Sequence, residues 1–188
     1  MSGGPAHAGE GPDAQPFGAR LAEAAMARTM VAVRYDPAYV VLAYPGGDVP
    51  ADTGVCSDEV VRSYRALGID LQVLVHEDMQ RNFSRYPKLW GLKAPDKNID
   101  HRRVPNLQRF LDRKGAALPI TDAAGDYWPG DLVAWDLNGL GLTHIGIVVP
   151  APPGASGEGW IVHNIGAGPR CERVLFGWKV IGHYRFGG

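Results

Sequence analysis

The sequence predicts an α+β fold: helices first, then an antiparallel sheet of about five strands. Three observations predict it. Between Gly18 and Gly115 apolar residues recur at helical spacing. After Tyr127 the period shortens, and runs of β-branched and aromatic residues are separated by Gly, Pro and Asn. The two patterns are segregated along the chain, which argues against a parallel βαβ sheet. A length of 188 residues suits one domain whose core needs no covalent staple.

The opening "MSGGPAHAGEGPDAQPF" is rich in Gly, Pro and Ala and has no apolar run. It predicts a disordered segment over 1–17, ahead of a single domain over 18–188. It is neither a signal-peptide core nor a membrane span. Two origins fit: a cytosolic protein, or an exported one whose signal was replaced by a new start. "GARLAEAAMARTMVAV" predicts a first helix from Gly18 to Val33, broken by Asp36-Pro37. "YVVLAY" (Tyr39–Tyr44) reads as a short strand or extended segment, followed by the turn-rich "PGGDVPADTG". The next helix opens at Cys56, carries Val60, Val61, Tyr64 and Leu67 on one face, and stops at Gly68. A further helix covers Asp70 to Phe83, with His76 on its surface beside Glu77 and Asp78. "SRYPKLWGLKAPDKNIDHRR" is an irregular surface segment. The last helix starts near Pro105, a favoured first-turn residue, and ends at Gly115. "LVAWD", "THIGIVV", "WIVHNI", "RVLFGW" and "VIGHYRF" are the predicted strands.

Composition excludes several classes of function. Lys plus Arg is 19 and Asp plus Glu is 20, a net charge of −1. So balanced a chain has no global field to draw it to nucleic acid or an anionic membrane. Two cysteines are too few for a disulfide framework. Cys56, His144 and His163 include ligand types for zinc, but no carboxylate or cysteine spacing completes a site, and no cofactor is implied.

The chemistry concentrates at Cys56. A nucleophilic cysteine must reach its thiolate, and a free thiol titrates near ~8.5. The first turn of a helix favours the anion through unpaired N–H groups and the macrodipole. Asp58 and Glu59 oppose it, so an imidazolium is needed nearby. The bland alternative is a small buried apolar residue. In "THIGIVV" alternation puts Thr143, Ile145, Ile147 and Val149 on one face and His144, Gly146 and Val148 on the other. His144 beside a glycine suits a general base with room for a substrate backbone. Either His163 or Asn164 is placed to hold its ring in one tautomer. In the loop over 96–103, Asp96, Asp100, His101, Arg102 and Arg103 are polar groups able to face a cleft, and Arg102 or Arg103 can clamp a carboxylate. The bland reading of that loop is a solvated surface.

These stretches resemble the papain-like NlpC/P60 superfamily of cell-wall cysteine peptidases and, more closely, the DUF1287 family. The resemblance runs from about Tyr35 to Phe186. It is carried by "YPGGDVPADTGVCSDEVVRSYRALGIDLQ", "NIDHRRVPNLQRFL", "YWPGDLVAWDL", "THIGIVV" and "VHNIGAG". It implies a papain-like fold, with Cys56 as nucleophile, His144 as base and His163 or Asn164 as third member. It implies that Tyr44 lies near the site to polarise the substrate carbonyl, with the Cys56 N–H in the oxyanion hole. It also implies an amide bond of a peptidoglycan peptide as substrate, hence a periplasmic or secreted setting, and an immunity or regulatory partner if the protein is an effector. Two positions depart from the superfamily pattern. Val55 replaces an Asp, and Asp58 replaces a Gly, which is expected to narrow or recharge the cleft. Those departures motivate one alternative, a module that grips wall peptides without cutting; a second, which the papain-like resemblance implies, is an acyl-transfer enzyme on another substrate.

Overall fold

The structure, a computed structural model, describes residues 15–187. The predicted disordered segment therefore lies outside the described residues up to residue 14, and Phe17 already opens the first helix. Four α-helices follow in order: α1 (Phe17–Arg28), α2 (Cys56–Arg65), α3 (Leu71–Asn82) and α4 (Val104–Arg113). A two-residue parallel pair, β1 (Arg34–Tyr35) with β2 (Thr53–Gly54), precedes α2. The main sheet holds β3 (Leu132–Asp136), β4 (Thr143–Val149), β5 (Trp160–Asn164), β6 (Pro169–Arg173) and β7 (Lys179–Tyr184). Its order is β6-β5-β4-β3-β7, antiparallel throughout. Among the described residues no helix is long and apolar enough to cross a membrane.

Local chemistry sets the helix ends. Asp70 caps α3 by accepting the Gln72 N–H at 3.0 Å. Val55 cannot cap α2 with its side chain. Asp58 instead reaches back to the Val55 N–H at 2.7 Å, which is the acidic half of a capping box. Pro105 sits in the first turn of α4, where no donor is missed. Gly68 and Gly115 follow α2 and α4 at φ 82° and 69°, a region open to glycine at little cost.

The strand alternation separates two cores. Leu132, Ala134, Ile145, Ile147, Val149 and Val162 pack under the helices, against Leu21, Val60, Tyr64, Leu107 and Phe110. Val133, Trp135, Val148 and Ile161 form a smaller core on the opposite face with Tyr127 and Leu175.

Two expectations need correction, and one open reading resolves. The first helix stops at Arg28, not Val33. Of the two readings of "YVVLAY", the extended segment holds and the strand does not; Val41 is 78% exposed, and the Leu42 N–H is held by Asn98 at 2.8 Å. "RVLFGW" is not a strand either: the pairing residues are Pro169–Arg173, and 174–178 turn into β7. That apolar run is spent on the second core. Leu175 is buried there, and its carbonyl accepts the Trp135 indole N–H at 2.8 Å.

Candidate active site

Cys56 is the first residue of α2 and is buried. Its position follows from a break in the sheet. The β4–β5 ladder runs from Val149/Trp160 to Ile147/Val162 and stops, although both strands continue to Thr143 and Asn164. The Val148 N–H points to β3, donating to the Asp131 carbonyl at 2.8 Å. Amides alternate sides along a strand, so the Ile145 N–H points the other way, into the gap left by β5. There it faces the Cys56 sulfur and favours its anion. The Ser57 N–H and the Cys56 N–H also face the sulfur. Asn164, fully buried, ties the same loop down by donating to the Gly54 carbonyl at 3.4 Å. The thiol thus lies in the gap between two strands, one residue along from His144. Burial pushes it up to about 11, against the pull of the Ile145 and Ser57 amides.

The His144 ring stands on the face opposite the helices, beside Trp135 and Trp178 at centroid distances of 5.7 and 6.0 Å. Its Nε2 lies 2.8 Å from Nδ1 of His163, and Nε2 of His163 lies 2.9 Å from a carboxylate oxygen of Glu172 on β6. His163, not Asn164, therefore holds the ring. Burial, then the neighbouring His163, lowers His144 to about 3. His163 is also lowered by burial, with Glu172 pulling back. Both imidazoles are neutral at rest. Among the described residues no hydrogen bond joins the Cys56 sulfur to the His144 ring.

A cleft of about 360 Å³ opens beside Cys56, lined by Tyr35, Tyr39, Trp90, Arg103 and Thr143 among others. Tyr35 is raised by burial and then by the Cys56 and Asp58 charges, which marks its closeness to both. Arg103 stacks its guanidinium over the Trp90 ring at 4.2 Å, and its Nη1 is buried with no protein partner.

Several candidates from the sequence stand elsewhere. Tyr44 does not line the cleft. It packs edge-on to His76, with Lys97 over its ring, and Tyr35 is the phenol beside Cys56. Asp58 offers the cleft no free oxygen, because its oxygens are taken by the Val55 amide and by Arg102 at 2.8 and 3.1 Å, although its charge still helps to raise Tyr35 and Cys56. Arg102 reaches the cleft wall, but its guanidinium is spent on Asp58 and on the carbonyls of Ala38 and Asp36. Asp100 is fully buried, accepting from the Asp96 N–H and paired with His76, so neither it nor His76 is a surface group. His101 is buried and lowered to about 4, by burial first and then by Arg102. Of the five substrate-binding candidates, Arg103 alone offers the cleft an unspent group.

Sequence reasoning missed Tyr35, Trp90, Trp178 and Glu172. Glu172 had a usable signal. Gly166 and Gly168 after Asn164 mark a hairpin, which puts the next strand at "PRCER" and sets Arg170 opposite His163.

Fold and site together define an α+β protein with a cysteine at a helix start, wedged into a sheet beside a histidine pair. The chain belongs to the family described as "Domain of unknown function (DUF1287)", whose profile matches residues 22–186. It is similar to "Uncharacterized protein YijF" of Escherichia coli (strain K12), at 53% identity over 152 residues, 81% of this chain and 73% of that one. Among solved structures it aligns with NlpC1 from Trichomonas vaginalis at TM-score 0.48 and 18% identity, over 93% of this chain and 46% of that chain. NlpC2 from the same organism gives TM-score 0.49 and 18% identity, over 94% and 48%. The chain thus spans about half the length of these two solved proteins.

Proposed function

We propose that the protein is a cysteine hydrolase cutting an amide bond in bacterial cell-wall peptides, in the periplasm or outside the cell. The observation that carries this reading is the sulfur at the first turn of α2, held in the β4–β5 gap one residue from a His144–His163 pair. In the proposed reaction Cys56 attacks the amide carbonyl while its proton passes to Nδ1 of His144. Both groups are neutral at rest, so proton transfer accompanies attack instead of preceding it. The oxyanion is received by the first-turn N–H groups of α2 and by Tyr35. His144 returns the proton to the leaving amine, and water resolves the thioester. Arg103 faces a carboxylate of the peptide, braced by Trp90.

The test is mass spectrometry of sacculus and muropeptide digests, wild type against Cys56→Ser. Products with wild type alone support the reading and identify the bond. No products with wild type, at concentrations where muropeptides bind, would overturn it. That outcome selects the second reading, a peptide-binding module, which the missing thiol–imidazole hydrogen bond and the raised thiol favour.

A further inference from the structure

We propose that Glu172 is a positioning residue that gives the His144–His163 pair its direction, leaving Nδ1 of His144 as the free acceptor for the Cys56 proton. The inference rests on the hydrolase reading for its purpose, but not for its geometry. Three groups form one chain, His144 Nε2 to His163 Nδ1 at 2.8 Å and His163 Nε2 to Glu172 at 2.9 Å. An ionised carboxylate only accepts, so Nε2 of His163 must carry the hydrogen. A neutral imidazole has one N–H, so Nδ1 of His163 is then an acceptor. It can be satisfied at 2.8 Å only if Nε2 of His144 donates. Nδ1 of His144 is left with a lone pair.

Without Glu172 nothing in the chain chooses a direction. The reverse pattern, with Nδ1 of His163 donating to Nε2 of His144, satisfies the same contact. It also puts the His144 hydrogen on Nδ1, where it blocks proton uptake. The flanking packing cannot choose, because Trp135 and Trp178 present rings to the pair and no acceptor. Burial keeps both histidines neutral, so the question of tautomer is a real one. Glu172 never reaches the reacting atoms. Its side chain is 44% exposed while that of His163 is 1% exposed, so it links the buried pair to solvent. When His144 becomes an imidazolium, the same chain of donors carries part of its charge outward to the carboxylate.

The experiment is long-range ¹H–¹⁵N correlation of the histidine rings in the whole protein, with His163→Gln used for assignment. Wild type is expected to show His163 protonated at Nε2 and His144 bare at Nδ1. In Glu172→Gln and Glu172→Ala both rings are expected to populate the second tautomer, and muropeptide turnover to fall about tenfold in kcat with KM unchanged. Gln fits the same surface strand position, so a folding failure of the Ala variant does not block the test. A wild-type His163 protonated at Nδ1, or ring signals unmoved in both variants, would overturn the proposal. The expected tautomers in a wild type that binds but never cleaves would overturn the hydrolase reading and leave the directional relay standing.

Discussion

At the scale of single residues, the resting site is electrically quiet. Placement at a helix start argues for an acidic thiol, yet burial outweighs the amides around the sulfur and the thiol rises to about 11. Alkylation of Cys56 by iodoacetamide in the ligand-free protein should therefore climb tenfold per pH unit from 7 to 9.5, with no plateau. A plateau beginning near pH 6 would mean a thiolate–imidazolium pair already present. Cys56 and His144 were legible in the sequence because their signals are local, a helix boundary and a period of two. Tyr44 misled for the converse reason. The position of a tyrosine along the chain says nothing of which way its loop folds, and here β1 brings Tyr35 to the cleft. Glu172 stayed hidden behind the apolar run "RVLFGW", which looks more like a strand than "PRCER" does.

At the scale of elements, the unit that builds the cleft is the start of α2 locked to the turn before α4. Asp58 binds the Val55 amide and Arg102, and Arg102 binds the carbonyls of Ala38 and Asp36 in the segment after β1. The Ser57 hydroxyl adds a bond to the Arg102 carbonyl at 2.6 Å. Both charged side chains are almost fully buried. Removing one partner strands the other, a loss of about 3–5 kcal/mol. Asp58→Ala should cost that much in urea unfolding. Asp58→Asn, which can still accept the Val55 N–H, should cost less. Equal stability of Asp58→Ala and wild type would show the pair to be dispensable. The sequence presented Asp58 as a departure at the cleft and the 96–103 loop as surface. Only the fold reveals that the two odd features answer each other across 44 positions.

At the scale of the whole molecule, buried titratable groups tie stability to pH. His144 and His101 are lowered by burial to about 3 and about 4. Their unfolded counterparts bind protons below ~6.5 while the folded groups do not, so stability falls as pH drops through that range. Asp131 adds a second phase. Burial raises it, but His183 and Arg185 outweigh burial and hold it below the usual carboxylate range. Its contribution is present above ~3.9 and is lost as pH falls through the folded value. Urea midpoints measured from pH 8 to pH 3 should decline from about 6.5 downward and keep declining below about 4, where Asp131 takes over as the His101 contribution ends. A flat profile down to pH 4 would contradict neutral buried histidines. The helix-then-sheet order and the two faces of β4 could be read from the sequence because they are periodic. These buried pairs could not, since Asp131 precedes β3 and His183 lies in β7, strands whose pairing no local pattern fixes.

The early end of the β4–β5 ladder carries one more consequence. A sheet amide that loses its strand partner needs another acceptor, and the group that the Ile145 N–H faces is the Cys56 sulfur. The reactive atom therefore completes the sheet as well as standing at the cleft. Trimming it to a methyl group would orphan a buried N–H, whereas a serine hydroxyl can still accept. The same sulfur must loosen its hold on that amide when it bonds to a substrate carbon. Acylation and a small rearrangement of the sheet edge are then one event.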